Sequence, residues 1–259
     1  MTATDDLVTS LDRGVLTLLI NREDKRNALN AAVLQGMLAA VSSPPEGARV
    51  ILLRSAGDRA FCAGADLAMM GEDATGLEVH EARGGLREVV LAMRACPIPV
   101  VARVQGLCLA GGVGVALGCD IVVCSDTAQW GLPEVDRGLW PFMVSGLLAR
   151  HVSPKRAMDW MLTGRRFTST EALDAGLASR LVPADDLDRE IDELVTTLAA
   201  KAPLAVRLGK QSWVTATDAP LEPGLEALQA QLALITTTKD AAEGVAAFFE
   251  KRDPQWTGR

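Results

Sequence analysis

Short runs of β-favouring residues alternate with stretches of helical periodicity through the first two thirds of the chain. The β-rich runs lie at residues 15–20, 49–54, 99–104, 120–125 and 178–182. Between them, apolar residues recur at spacings of three and four, which is typical of helices packed on a sheet. These helical stretches cover residues 30–41, 81–95 and 154–162. Alternation of strands and helices predicts an α/β fold.

The pattern beyond residue 186 becomes almost wholly helical. The predicted helices there cover residues 186–201, 203–215, 223–237 and 240–251. We therefore expect two parts, a core in residues 1–195 and a C-terminal helical region in residues 196–259.

Composition excludes several classes of function. The 259 residues are 49% hydrophobic, enough for a large core without disulfides. The net charge of −7 carries no basic block, which argues against nucleic acid or an anionic membrane as partner. No long apolar run or basic leader is present, so we expect a cytoplasmic protein. Five cysteines and two histidines, without ligand spacing, predict neither a disulfide framework nor a metal site.

Two glycine-containing turns are predicted to expose main-chain N–H groups. In LAGGVGVALGCD (109–120) the glycine spacing G-x-G-x-x-x-G is one residue too long for dinucleotide binding. A helix beginning at Gly111 or Gly112 would instead leave main-chain N–H groups for an oxyanion, although close helix packing also explains the glycines. AFCAGADL (60–67) exposes a second set of N–H groups after a strand.

These segments, with NREDKRNALN (21–30), GLPEVDRGLWP (131–141) and AAFFEKRDP (246–254), occur in an order that resembles the crotonase superfamily, the enoyl-CoA hydratase/isomerase family. The resemblance covers almost the whole chain. It implies a spiral of ββα units with C-terminal helices that build homotrimers, usually paired into hexamers. It also implies an acyl-CoA substrate and no cofactor besides the coenzyme A that the substrate carries.

The resemblance assigns roles to individual residues. The oxyanion donors fall on the N–H groups of Ala63 and Gly111, and the catalytic carboxylate on Glu134. Contacts to coenzyme A and the acyl chain fall on Lys25, Arg26, Ala28, Leu29, Ala65, Asp66, Leu67, Gly114, Trp140 and Lys251. Of these, Lys251 would reach the coenzyme A of a neighbouring subunit. Residues 67–80 are weakly patterned and predict a lid over the site.

One position departs from the family. Typical hydratases carry a first glutamate three residues after the oxyanion glycine, and here that residue is Gly114. With Glu134 as the single carboxylate, hydration of a 2-enoyl-CoA is the first expectation. Two alternatives stay open: isomerisation of the double bond, which needs one base, and acyl-CoA binding without catalysis.

Overall fold

A six-stranded sheet forms the centre of the fold, in a computed structural model that describes residues 6–66 and 84–259. Its strands in spatial order are β1 (Leu7–Asp12), β2 (Val15–Ile20), β3 (Val50–Ser55), β5 (Val100–Val104), β7 (Ile121–Ser125) and β10 (Arg180–Val182). β1 is antiparallel to β2, and every other neighbouring pair is parallel. The predicted α/β class is confirmed.

A second sheet of four short strands positions the functional loops. Its spatial order is β4 (Ala60–Cys62), β6 (Leu107–Leu109), β8 (Gln129–Gly131) and β9 (Arg166–Thr168). β4, β6 and β8 run parallel, and β9 is antiparallel to β8. Because the carboxyl ends of parallel strands meet at one edge of a sheet, the loops after β4, β6 and β8 emerge side by side.

The helices cover both faces of the large sheet, as the nearly continuous burial of its central strands β3, β5 and β7 requires. Those that follow the strands are α1 (Ala31–Ser42), α2 (Gly85–Ala95), α3 (Gly111–Gly118), α4 (Phe142–His151), α5 (Pro154–Thr163), α6 (Ser169–Asp174) and α7 (Leu187–Ala199). On one face, Ile51 and Leu53 pack in a cluster with Met37 of α1. On the other, Leu52 packs with Ile191 of α7.

Three further helices, α8 (Pro203–Asp218), α9 (Leu221–Ile235) and α10 (Lys239–Glu250), form the C-terminal part. Ion pairs tie α8 to the core: Lys210 Nζ lies 2.6 Å from Asp120 Oδ2, and Asp218 pairs with Arg94 and Arg150. These two guanidinium groups lower the pKa of Asp218 to about 2. The predicted division at residue 195 falls inside α7 and stays a prediction.

The outer faces of the C-terminal helices expose large apolar side chains. They include Trp213, Leu221, Leu225, Leu232, Phe248 and Phe249, each more than half exposed. No helix in residues 6–66 and 84–259 is long and apolar enough to cross a membrane.

Candidate active site

Three loops meet at the edge where β4, β6 and β8 end. Residues 63–66 follow β4, Gly111 follows β6, and Glu134 lies three residues beyond the end of β8. The last two loops are adjacent, because Leu109 pairs with Gly131 and the Ala110 N–H donates to the Gly131 carbonyl over 2.9 Å. The topology therefore places the loops that hold Ala63, Gly111 and Glu134 along one edge of the sheet.

The loop after β4 is held by main-chain bonds to the segment before α1. The Leu29 N–H donates to the Gly64 carbonyl and the Asp66 N–H to the Leu29 carbonyl, both over 2.8 Å. In such a parallel bridge, the N–H of the intervening residue, Ala65, points away from Leu29. No group in the described part of the chain accepts a hydrogen bond from it.

The prediction that Ala63 supplies an oxyanion donor is wrong. Its N–H donates to the Arg26 carbonyl over 3.1 Å, so this donor is already used inside the protein. The available amide in this loop is that of Ala65, two residues later. Ala65 was predicted only as a contact to coenzyme A.

The Gly111 amide lies close to the Ala65 amide. A methyl group placed on Gly111 would lie 3.6 Å from Ala65 N, and one placed on Gly64 would lie 3.4 Å from Gly111 N. Gly111 is the first residue of α3, so its N–H has no partner within the helix. The preceding residue, Ala110, has φ +53°, a strained conformation that non-glycine residues keep mainly at functional sites. Two main-chain donors thus lie at adjoining points of the same edge.

The other glycines of α3 serve close packing, the alternative explanation of this segment. A methyl group on Gly112 would collide with the carbonyl oxygen of Cys62 in β4. One on Gly118 would lie 3.0 Å from Met93 Sδ of α2. Both explanations of the glycine-rich turn therefore hold, at different residues.

Glu134 carries the one buried, unpaired carboxylate oxygen in the described residues. The side chain is half-buried, and no described group donates a hydrogen bond to its buried Oε2. Burial raises the pKa of the Glu134 carboxyl above its usual value, and its own main-chain N–H and Arg137 offset this only in part. A raised pKa and a free oxygen suit a group that takes up and returns a proton.

Apolar side chains occupy the space beside Gly114. A methyl group there would lie 3.2 Å from Val144 Cγ2 and 3.3 Å from Leu86 Cδ2. Leu86 also borders Gly111, where a methyl group would lie 3.6 Å from its Cδ2. Both side chains are almost fully buried. Position 114, which carries the first glutamate in typical hydratases, is here a glycine. Leu86 and Val144 fill the space beside it and form an apolar wall next to the Gly111 amide.

The contacts of this wall indicate what a carboxylate at position 114 would need in order to fit. Gly114→Glu alone should destabilise the protein by about 1–3 kcal/mol, the usual cost of overpacking. The resemblance implies a 2-enoyl-CoA substrate. With 2-butenoyl-CoA as the test substrate, Gly114→Glu combined with Leu86→Ala, which removes one of the crowding side chains, should give hydration at least about tenfold faster than the matched Gly114→Ala/Leu86→Ala variant, since an added acid assists proton transfer. Equal rates in the two double variants would contradict the placement.

The predicted contacts to coenzyme A fall into two groups. The N–H groups of Ala28 and Leu29 are bonded to the carbonyls of Lys25 and Gly64, so they cannot bind an adenine. Their carbonyl oxygens each accept one bond and keep a second lone pair. Lys25 and Arg26 are exposed beside them, and Lys251 is exposed at the end of α10, so their predicted phosphate contacts stay predictions.

Two further predicted contacts are Trp140 and Leu67, of which the structure describes only Trp140. Trp140 is half-buried and packs against the main hydrophobic cluster. Leu67 and the lid at residues 67–80 lie outside the described residues. Within the described ranges, no group of three or more His, Cys, Asp or Glu side chains lies together in a way that could hold a metal ion.

Three residues of this site were missed by sequence reasoning. Leu86 and Val144 look like ordinary core residues of amphipathic helices, and nothing local distinguishes them. Arg22 is different: its side chain is only 11% exposed and bonds to both Ala28 and Asp66. Its place inside the NREDKRNALN segment was the available indication.

Known proteins are similar to this chain in sequence and in overall fold. Residues 10–259 match the family model described as enoyl-CoA hydratase/isomerase. A probable enoyl-CoA hydratase of Mycobacterium tuberculosis is 35% identical over 98% of this chain and 99% of its own length. The 2,3-dehydroadipyl-CoA hydratase of Escherichia coli is 32% identical over 98% and 99%. The crystal structure of an enoyl-CoA hydratase of Mycobacterium smegmatis superposes with a TM-score of 0.92, at 32% identity, over 97% of this chain and 98% of that one.

Proposed function

Because this chain belongs to the enoyl-CoA hydratase/isomerase family and is an enzyme of hydratase type, we propose that it adds water to the double bond of a 2-enoyl-CoA thioester with Glu134 as its single carboxylate. The Ala65 and Gly111 amides bind the thioester oxygen. No cofactor takes part besides the coenzyme A of the substrate. The observation that carries the proposal is the unpaired, buried Oε2 of Glu134, in the loop next to the Gly111 amide.

One carboxylate is sufficient for the proton balance. Ionised Glu134 takes a proton from water as the water oxygen bonds to C3 of the substrate. Electron density moves through C2 to the thioester oxygen, where the two amides stabilise the negative charge. Glu134 then returns the same proton to C2, so that the elements of water are added and the enzyme is regenerated.

A pair of assays tests this function. With 2-butenoyl-CoA as substrate, loss of the absorbance of the conjugated thioester reports hydration. With 3-butenoyl-CoA, a gain of that absorbance reports isomerisation. A panel of acyl chains should include a dicarboxylic ester, because one relative is a 2,3-dehydroadipyl-CoA hydratase. Tight binding without change of absorbance in either assay would overturn the enzyme assignment.

Isomerisation is the second candidate function, and the apolar wall at Gly114 favours it. Moving a proton between C4 and C2 needs one base and no water, and Leu86 and Val144 offer no hydrogen bond that would hold a water molecule. The assay with the 3-enoyl ester separates this chemistry from hydration.

We also propose that the exposed apolar faces of α9 and α10 are buried between copies of the chain, in a homotrimer or a hexamer built from two trimers. Phe248 and Phe249 are each 77% exposed in the single chain and their rings contact each other, and contiguous exposed apolar surface marks interaction sites. The mass in solution, from light scattering, tests this. A cytoplasmic location is proposed because all five cysteines are free thiols, which suits a reducing compartment.

The unpaired carboxylate should reduce stability at neutral pH. The pKa of Glu134 is raised in the folded protein, so the folded state holds this proton more tightly than the unfolded state does. Stability from this group is therefore present at low pH and is lost as pH rises through the raised pKa. Glu134→Gln should unfold at a higher temperature than the parent at pH 8, and the difference should vanish below pH 4.5, the usual value for a glutamate. A variant that is less stable at pH 8 would contradict this.

A further inference from the structure

Arg22 joins the loop that carries the Ala65 amide to two other segments of the chain. Its Nη2 lies 2.8 Å from Asp66 Oδ2, and its Nη1 donates to the Ala28 carbonyl over 2.6 Å. Its Nε lies 3.5 Å from Asp6 Oδ2. The Arg22 side chain is 11% exposed and that of Asp66 18%, so the pair is screened from solvent far more than a surface ion pair.

The position of Arg22 is itself fixed by a buried asparagine. The Arg22 N–H donates to Asn27 Oδ1, and the Asn27 N–H donates back to the Arg22 carbonyl over 2.8 Å. Asn27 is fully buried, and its Nδ2 donates to the carbonyls of Ala56 and Ala60 at the two ends of the turn before β4. The guanidinium therefore starts from a rigid base that is tied to the same strand from which the 63–66 loop emerges.

This arrangement fixes both sides of the Ala65 amide. Leu29 bonds to Gly64 and to Asp66 through its main chain, while Arg22 holds the Asp66 side chain and the Ala28 carbonyl next to Leu29. A planar guanidinium can bind two acceptors in fixed directions at once, which a lysine ammonium cannot do as well. Rotation of the Ala65 peptide would require breaking bonds on both of its neighbours.

We propose that Arg22 is a positioning residue for the oxyanion site: through Asp66 it holds the Ala65 N–H at the thioester oxygen. This inference rests on the proposed function for its kinetic consequence. Arg22 does not itself touch the substrate. Its loss lets the donor move while the fold, built on the buried sheet, remains.

The test uses Arg22→Met, Arg22→Lys and Asp66→Asn in the full-length protein. A displaced donor should lower kcat by about 10- to 100-fold in Arg22→Met, with a smaller change in KM, because misplacement of a reacting group by about 1 Å has effects of this size. Arg22→Lys should recover part of kcat. Arg22→Met/Asp66→Asn should be no slower than the slower single variant, since both changes break the same link.

A spectroscopic measurement separates positioning from a merely structural role. Butyryl-CoA labelled with ¹³C at the thioester carbonyl cannot be hydrated or isomerised, so its bound infrared stretch reports the donors alone. The parent protein should lower this frequency relative to free butyryl-CoA, and Arg22→Met and Asp66→Asn should lower it less. Arg180→Met is the matched control: it removes a 2.6 Å ion pair to Glu190, between β10 and α7, and should leave kcat and the carbonyl frequency unchanged.

The outcomes distinguish this inference from the proposed function. Variants that are folded and keep both kcat and the shifted carbonyl frequency would overturn the role of Arg22 and leave the function intact. A parent protein that shifts the carbonyl frequency but turns over no enoyl-CoA would overturn the function, and the loss of that shift in Arg22→Met would still support the positioning role. A parent protein that turns over enoyl-CoA but leaves the frequency unshifted would overturn the two-amide oxyanion site and with it the positioning role, and would leave the hydratase function intact.

Discussion

Replacing Glu134 by Gln is expected to lower kcat for enoyl-CoA turnover by roughly 100- to 10,000-fold, the range that a positioned general base contributes. Glutamine has nearly the same shape, but it cannot take a proton from water or from C4 of the substrate. The same loss is expected in the hydration and isomerisation assays, because both need this base. Rapid-mixing or steady-state absorbance measurements give the rate directly.

The control for this substitution is Asp136→Asn, two residues away. Asp136 is exposed, so neutralising it changes the local charge equally but should leave kcat nearly unchanged. In the parent, kcat/KM should rise with pH through the raised pKa of Glu134, because the ionised form is the base. A Gln variant that keeps more than about a tenth of the parent rate would refute the role of Glu134 as base.

Removing the Ala65 N–H is expected to lower kcat by roughly 100- to 1,000-fold, the usual cost of one oxyanion donor. Ala65→Pro removes this N–H and leaves the two bonds to Leu29, which use the Gly64 carbonyl and the Asp66 N–H. Incorporation of lactic acid at position 65 is a second route, since it turns the amide into an ester without adding a ring.

Two comparisons make this result specific. Ala65→Gly keeps the N–H and should retain most of the activity. An ester at position 63 removes the hydrogen bond to the Arg26 carbonyl, so it should lower the unfolding temperature and leave kcat nearly unchanged. If the ester at 63 abolished turnover and the ester at 65 did not, the original assignment of Ala63 would be restored.

The sequence was sufficient for those parts of the site that depend on local chemistry. The N-terminus of α3 at Gly111 follows from its glycines and the strand before it, and the α/β class follows from periodicity. The strands β4, β6, β8 and β9 were not predicted because each has three residues, too few to show an alternating pattern, whereas the equally short β10 lies inside a longer β-favouring run at residues 178–182. These short strands nevertheless decide which loops meet.

The available amide is that of Ala65 and not, as predicted, that of Ala63, for a physical reason that no local pattern reveals. Both residues are small alanines on either side of Gly64, and both carry an N–H. Which one remains available depends on partners far away in sequence, the Arg26 carbonyl and Leu29. The ionic link from Arg22 to Asp66, which spans 44 positions, was hidden for the same reason.

The common edge of β4, β6 and β8 has a consequence for how such enzymes diversify. Each reacting group lies within three residues of a strand end, whereas the longer segments that return to the next strand include α2 and α4, whose Leu86 and Val144 line the space beside Gly114. Insertions or exchanges in those return segments can reshape the room around the acyl tail without disturbing the atoms that act on the thioester. New substrates are therefore accessible to this scaffold through changes distant from its bond-making centre.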